Sequence, residues 1–149
     1  MATAAPARAP ALYWIVALVS LVWTGFWSFD YVMTESNNDW YLAQLWHFNE
    51  ADRAFFASVP AWAVAAWAIA VWGALLGSLL LVMRSGYAVW AFGISLAGWV
   101  VMAIYQFAMA SPPADLGTPA MMAVTIAMWV VAIALFVYAW RIKGAGLLR

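Results

Sequence analysis

The sequence contains no cysteine and only one histidine. Without cysteine the chain cannot form disulfides, hold an iron–sulfur cluster, build a thiolate zinc site or use a catalytic thiol. The single imidazole, that of His47, cannot supply the paired axial ligands of a membrane cytochrome. No nucleophile–base pair and no cluster of metal ligands is apparent, so we assign no catalytic residue, no metal site and no intrinsic cofactor.

Charge is equally scarce, at 8% of the 149 residues, whereas 69% are hydrophobic. A soluble domain carries about 25% charged residues, because a small globule has a large surface to keep hydrated. Six basic and six acidic side chains cannot cover such a surface, and their net charge of zero argues against nucleic acid as a partner. The composition therefore predicts a single membrane domain over residues 1–149, with the lipid bilayer as its solvent.

Four apolar segments are long enough to cross a bilayer as helices. A hydrocarbon core of roughly 30 Å needs about 20 residues at about 1.5 Å per residue. The segments cover residues 11–32, 61–83, 87–108 and 119–140. The alternating pattern typical of membrane barrels is absent. We predict an all-α, polytopic membrane protein with four transmembrane helices.

The basic residues predict how these helices are oriented. Five lie on one side of a four-span arrangement: Arg8, Arg84, Arg141, Lys143 and Arg149. Only Arg53 lies on the other side. Because cytoplasmic loops carry an excess of Lys and Arg, we expect both termini to be cytoplasmic. The protein is then a multi-pass protein of a bacterial inner membrane, with an outer loop over residues 34–59.

The outer loop carries helix-capping signals and several aromatic residues. Asn38 and its neighbours offer N-caps for a short helix that reaches Trp46, and Asn49 offers a cap for a second helical turn. We predict a short interfacial helix with an aromatic belt. The alternative is a lid, or a docking surface for another subunit.

Asp30 ends the first span, between Phe29 and Tyr31. A carboxylate near a helix end lies close to the interface, where it costs less than at the bilayer centre. A solvated side chain is therefore the first expectation. The alternative is a buried ion pair with Arg53, the only basic residue predicted on the outer side.

Small residues at helical spacing indicate two packing faces. Ser20, Thr24 and Ser28 recur every four residues on the first span and therefore share one face. The second span carries Gly73 and Gly77 in a G-x-x-x-G pattern. We predict that both faces serve close helix packing. The glycine face suits either the interior of the bundle or a partner helix.

Tryptophan is unusually abundant, with 12 copies. Four of them fall near the middle of their spans: Trp23, Trp72, Trp99 and Trp129. An indole in hydrocarbon leaves an N–H that needs an acceptor. These residues form either an aromatic packing layer or a site for a flat or apolar molecule, such as a quinone, a pigment, a lipid tail or a stacked sugar ring.

Gln106, beside Tyr105 on the third span, is the strongly polar side chain in the mid-to-outer part of the membrane. An amide at this depth is expected to hydrogen-bond to a neighbouring helix. The alternative is that Gln106 lines a solute path, with Tyr105 and the central tryptophans as further ligand or lipid contacts.

Several segments resemble a family of small four-span membrane proteins of proteobacteria. The similar segments are residues 27–34 (WSFDYVMT), 41–42, 60–62, 71–81 and 104–107. They cover the first three quarters of the chain. Asp30, Tyr31 and Gln106 carry the family's polar pattern. The family has no defined activity and is loosely labelled as sugar transporters, which is what the resemblance implies here.

Three functions compete. The first is a non-catalytic accessory subunit that packs against a larger membrane complex, with membrane lipid and other membrane subunits or a second copy as partners and with bound lipid, quinone or pigment as contacts. The second is a transporter of a small neutral, sugar-like solute that acts as a dimer. The third, an enzyme acting on lipid or quinone, has the least support because catalytic groups are missing.

Overall fold

A computed structural model describes residues 9–149 and contains six α-helices within that range. They are α1 (Ala11–Glu35), α2 (Asp39–Gln44), α3 (Glu50–Ala57), α4 (Ala61–Val82), α5 (Ala88–Ile104) and α6 (Pro119–Gly144). A π-helix, Tyr105–Met109, continues α5, and a 3-10 turn, Ala114–Gly117, precedes α6. Four of the helices, with α5 counted together with its π-helix, are long and apolar enough to cross a membrane. The predicted all-α, four-span fold is confirmed.

The four long helices form an antiparallel series in which each packs against the next: α1 on α4, α4 on α5, and α5 on α6. The segment after α6 folds back onto the α4–α5 turn. Arg84 donates its Nε–H to the Leu147 carbonyl at 3.1 Å, and the Arg149 N–H donates to the Arg84 carbonyl at 2.8 Å. Four of the five basic residues predicted on the inner side thus lie at one end of the bundle. The fifth, Arg8, lies outside the described residues.

The tightest helix contact joins α4 and α5. A Cβ atom added at Gly98 would lie 2.7 Å from the Ala66 carbonyl oxygen and 2.8 Å from the Ala70 backbone nitrogen. A Cβ at Gly73 would lie 3.2 Å from the Ser95 Cβ, and one at Gly77 would lie against the Phe92 ring. The predicted glycine face therefore packs inside the bundle, on α5, and is not left open for a partner helix.

The predicted hydroxyl face of α1 is also confirmed. Ser20, Thr24 and Ser28 are all buried. Thr24 Oγ1 donates to Ser78 Oγ on α4 at 3.1 Å, and Ser28 Oγ donates to the Val71 carbonyl at 3.3 Å. Polar contacts therefore join α1 to α4 along two turns of each helix.

The apolar core lies at the basic end of the bundle. Its buried residues are Tyr13, Ala17, Leu81, Ala88, Phe92, Leu135, Ala139, Ile142 and Leu148. The buried residues of α6 are Leu135, Ala139 and Ile142, all in the second half of that helix. The bundle is consequently closed at its basic end, whereas the first half of α6 packs loosely and leaves a cleft at the other end.

The Gly98→Ala variant is expected to destabilise the bundle by about 1–3 kcal/mol, because the new methyl group would push the α5 backbone off α4. Gly25→Ala is the matched control, since an added Cβ at Gly25 meets nothing within 4 Å. Alanine is the better helix former there by about 0.5–1 kcal/mol. Reversible unfolding in mixed detergent micelles measures both. Equal stability of the two variants would contradict the assigned contact.

Candidate functional site

The outer loop folds into two short helices, each capped by an asparagine as predicted. The Asn38 side chain accepts from the Tyr41 N–H at 3.0 Å. Asn49 forms a capping box with Asp52 at the start of α3. The backbone of Asn37 and of His47 takes positive φ angles of 47° and 55°, which turn the chain before and after α2. These turns bring α2 and the residues after it against the end of α1.

Asp30 is the centre of the polar contacts at this end. Its side chain is buried, with 7% of its surface exposed. The Tyr41 hydroxyl donates to Asp30 Oδ1 at 2.7 Å, and the Trp46 indole N–H donates to the same oxygen at 2.8 Å. The expected solvated carboxylate is therefore wrong, because two side chains of the outer loop cover it.

The predicted Asp30–Arg53 ion pair is also wrong. Arg53 pairs with Asp39 at the surface, where the two side chains are 22% and 87% exposed. A surface guanidinium stays partly hydrated, whereas reaching Asp30 would strip it of water. Such an exposed pair contributes about 0–1 kcal/mol. Among the described residues, no basic group lies within 4.0 Å of Asp30.

Burial, together with the hydrogen bond to the Asp30 carboxylate, raises the pKa of the Tyr41 hydroxyl well above its ordinary value. Both causes disfavour the tyrosinate, since it would be poorly solvated and would lie beside another anion. Tyr41 therefore remains a proton donor to Asp30 throughout the physiological pH range.

A cavity of about 190 Å³ adjoins Asp30. It lies between the outer half of α1, the outer loop and the first half of α6. The aromatic side chains among its lining residues are Trp27, Trp46, Phe48, Phe55, Phe56, Trp67, Trp99 and Tyr105. Gln106 and Thr125 add polar groups to the wall. The result is a largely apolar pocket with a few convergent polar groups, the usual composition of a small-molecule site.

A second cavity, of about 30 Å³, lies beside the first, toward the middle of the bundle. Trp27, Trp99 and Met128 line both cavities. The smaller one ends at Phe92 and Leu135, which belong to the apolar core. The two cavities, together called the cleft below, therefore lie between the outer loop and about the middle of the bundle.

The four central tryptophans occupy different surroundings. Trp23 and Trp99 line the smaller cavity, and the Trp129 ring lies 6.3 Å from that of Trp99. Trp72 points outward and is 44% exposed. Three of the four thus lie at or beside the cleft, and the fourth faces the surroundings of the bundle.

Gln106 lines the larger cavity and makes no hydrogen bond to any described residue. The expected bond to a neighbouring helix is therefore absent among the described residues, and the alternative, that Gln106 lines a solute path, stays a prediction. Gln106 belongs to the π-helix, in which the Ala110 N–H bonds to the Tyr105 carbonyl at 2.9 Å, five residues back. Tyr105 is buried and packs its ring against Trp62 at 5.6 Å.

The Trp27 indole N–H was not anticipated as a site group. Its nitrogen is buried and has no hydrogen-bond partner within the described part of the chain. An unsatisfied buried donor is uncommon and costs about 1–3 kcal/mol. The sequence did contain one indication of this role: Trp27 lies three residues before Asp30 and therefore on the same face of the helix.

Comparison with known proteins gives no relative: no protein-family model, curated protein or solved structure matches the chain. The resemblance to the small proteobacterial family therefore stays a prediction. Within residues 9–149 no group of three or more His, Cys, Asp or Glu side chains could hold a metal ion.

The Tyr41→Phe variant removes one of the two donors to the buried Asp30 carboxylate. We expect it to lower stability by about 1–3 kcal/mol, the usual cost of losing a hydrogen bond to a charged group. Tyr31→Phe serves as the control, because the Tyr31 hydroxyl bonds to no described residue. Thermal unfolding in lipid nanodiscs gives the comparison, and equal midpoints for both variants would refute the role of Tyr41.

Proposed function

We propose that this protein is a non-catalytic integral membrane protein whose cleft holds one end of an amphipathic molecule. The observation that carries the proposal is the cleft itself. It is closed toward the apolar core, lined with aromatic rings and provided with a buried carboxylate at its outer part. A cavity of about 190 Å³ is smaller than the roughly 300–1,000 Å³ of sites that enclose a drug-sized ligand. It therefore suits a head group or a ring, with the remainder of the ligand in the bilayer.

The accessory-subunit role fits the outer surfaces of the bundle. Exposed apolar side chains cover α1 and α6, including Val19, Val22, Ile126 and Val130, which are 60% exposed or more. In the most apolar 18-residue stretch of α6, only 6% of the residues are buried. Such faces contact lipid or the helices of another membrane protein. We propose that the protein associates with a larger membrane complex and supplies it with a bound lipid, quinone or similar molecule.

A bacterial inner membrane with both termini cytoplasmic is the proposed location. The basic residues Arg84, Arg141, Lys143 and Arg149 support this orientation, since they occupy the end opposite the outer loop. The cleft then opens on the periplasmic half of the membrane.

A transporter of a small neutral, sugar-like solute, acting as a dimer, is the second candidate. The cavity is open on one side of the core and closed on the other, as expected for a carrier in one of its two states. A transport cycle would require α6 to leave Phe92 and its neighbours at the inner end. Tight inner packing and the absence of an acid or base in the middle of the spans favour the binding role.

Extraction in polymer nanodiscs, followed by intact-complex mass spectrometry, tests the proposed function. We expect a fixed stoichiometry with larger membrane subunits and a small molecule that remains bound to the chain. Filling the larger cavity with the Val124→Trp variant should release the small molecule, whereas Ile126→Trp, on the exposed side of α6, should not. A bare monomer or homodimer without retained molecule would reject the proposal and favour transport.

Single-cysteine labelling tests the orientation, and the absence of native cysteine removes the background. The Ser36→Cys variant, in the exposed turn after α1, should react with a membrane-impermeant thiol reagent in whole cells. Gly144→Cys, at the end of α6, should react only after the cells are opened. The reverse pattern would show that both termini face outward.

A further inference from the structure

Among the described residues, the Asp30 carboxylate has no cationic partner. No Lys, Arg or His among the described residues lies within 4.0 Å of it, and Arg53 is paired with Asp39. Both hydrogen bonds to Asp30 reach Oδ1, and no described residue donates to Oδ2. A buried carboxylate is costly unless it is neutralised or paired with a cation. Because Asp30 lines the cavity, a ligand in that cavity could supply the cation.

Aromatic rings surround the same space. The Trp27 and Trp46 rings are stacked at 6.2 Å, and the Phe48 and Phe56 rings are stacked at 5.3 Å. The Trp67 ring lies 6.2 Å from that of Phe56. Aromatic faces attract organic cations through the ring quadrupole, and sites for ammonium groups combine several such rings. A carboxylate beside an aromatic wall is therefore a suitable site for an ammonium group.

The Trp27 indole adds a second requirement. Its N–H has no acceptor among the described residues, and its nitrogen has less than 1 Å² of exposed surface, so an oxygen of a ligand in the cleft can accept from it only when the ring turns toward the cavity. Beyond Trp27 the cleft continues along apolar side chains such as Met128 and Val131. Its contents should therefore change from polar to apolar toward the middle of the membrane.

We infer that the cleft binds the protonated amine of an amphipathic molecule, with the ammonium donating to Asp30 and an adjacent oxygen accepting from Trp27. A zwitterionic lipid head group such as phosphoethanolamine has this chemistry, and so does a free amino alcohol phosphate. The inference rests on the proposed function, namely that the cleft holds an amphipathic molecule, and adds the charge of the group bound there.

The experiment compares phosphatidylethanolamine with phosphatidylglycerol, which has the phosphate but no amine. The purified full chain in neutral detergent is titrated with each lipid, and native mass spectrometry counts the bound molecules. We expect wild type to prefer phosphatidylethanolamine by about tenfold, as one charge-assisted hydrogen bond to a buried group provides. Asp30→Asn should remove this preference. Glu50→Gln, which neutralises an exposed acid at the start of α3, should retain it.

The Asp30→Asn variant keeps an oxygen that can accept from Tyr41 and Trp46, so the fold around it should persist. Thermal unfolding verifies this before binding is measured. The Trp27→Phe variant provides a second test that keeps the ring and removes only the N–H. This variant should weaken the binding of both phospholipids by a similar factor, because both lipids carry the phosphate that accepts the hydrogen bond.

The outcomes separate the inference from the proposed function. Equal binding of the two lipids by wild type, or an unchanged preference in Asp30→Asn, overturns the amine assignment but leaves a lipid-binding cleft. If neither lipid binds, both the amine assignment and the lipid-binding cleft are overturned. Competition by phosphoethanolamine without acyl chains would assign recognition to the head group alone. Binding that requires the whole lipid would show that the apolar end of the cleft contributes to recognition. Either of these two results is consistent with the amine bound at Asp30.

Discussion

In a bilayer, helices gain little free energy by burying apolar side chains against each other, because lipid tails are equally apolar. Close backbone contact and interhelical hydrogen bonds must therefore hold the helices together. Gly98 provides this contact by letting α5 lie directly on the α4 backbone at Ala66 and Ala70. The α1 helix joins α4 through its hydroxyl face, whereas α6 has neither device along its first half. The cleft is the space that this unequal packing leaves, and its inner limit is the apolar core.

Much of this architecture was predictable from local pattern. Span length, the asparagine caps and the faces of Ser20 and Gly73 each depend on spacing along one helix, and the structure confirms them. Gly98 was missed because a lone glycine in an apolar helix has no pattern to mark it. Which side chains from different helices and loops pair with each other could not be predicted from the sequence either. Charge scarcity suggested Arg53 as the partner of Asp30, but the turn after α2 places Trp46 there instead.

The candidate site joins residues that are distant in the chain and unremarkable one by one. Asp30 near a helix end, an aromatic outer loop and Gln106 on the third span each have an ordinary interpretation as interface residues. Their significance comes from the tertiary arrangement, which buries the carboxylate and gathers the rings around one cavity. Two residues that line this cavity keep unused bonding capacity, at Oδ2 of Asp30 and at the buried N–H of Trp27, and this is the basis for assigning the cavity a ligand.

The π-helix at Tyr105–Met109 has a consequence for how this wall of the cleft can vary. A π turn holds one residue more than an α turn, so the segment can be viewed as an α-helix that has absorbed a single-residue insertion. Loss of one codon in this segment would restore α geometry there, and because the π turn absorbs the extra residue locally, the side chains before and after the segment would keep their faces. One in-frame deletion could thus exchange Gln106 for an apolar neighbour at the cavity and leave the contact of Gly98 with α4 intact. The chemistry of the cleft can therefore diverge without a change in the helix packing that supports it.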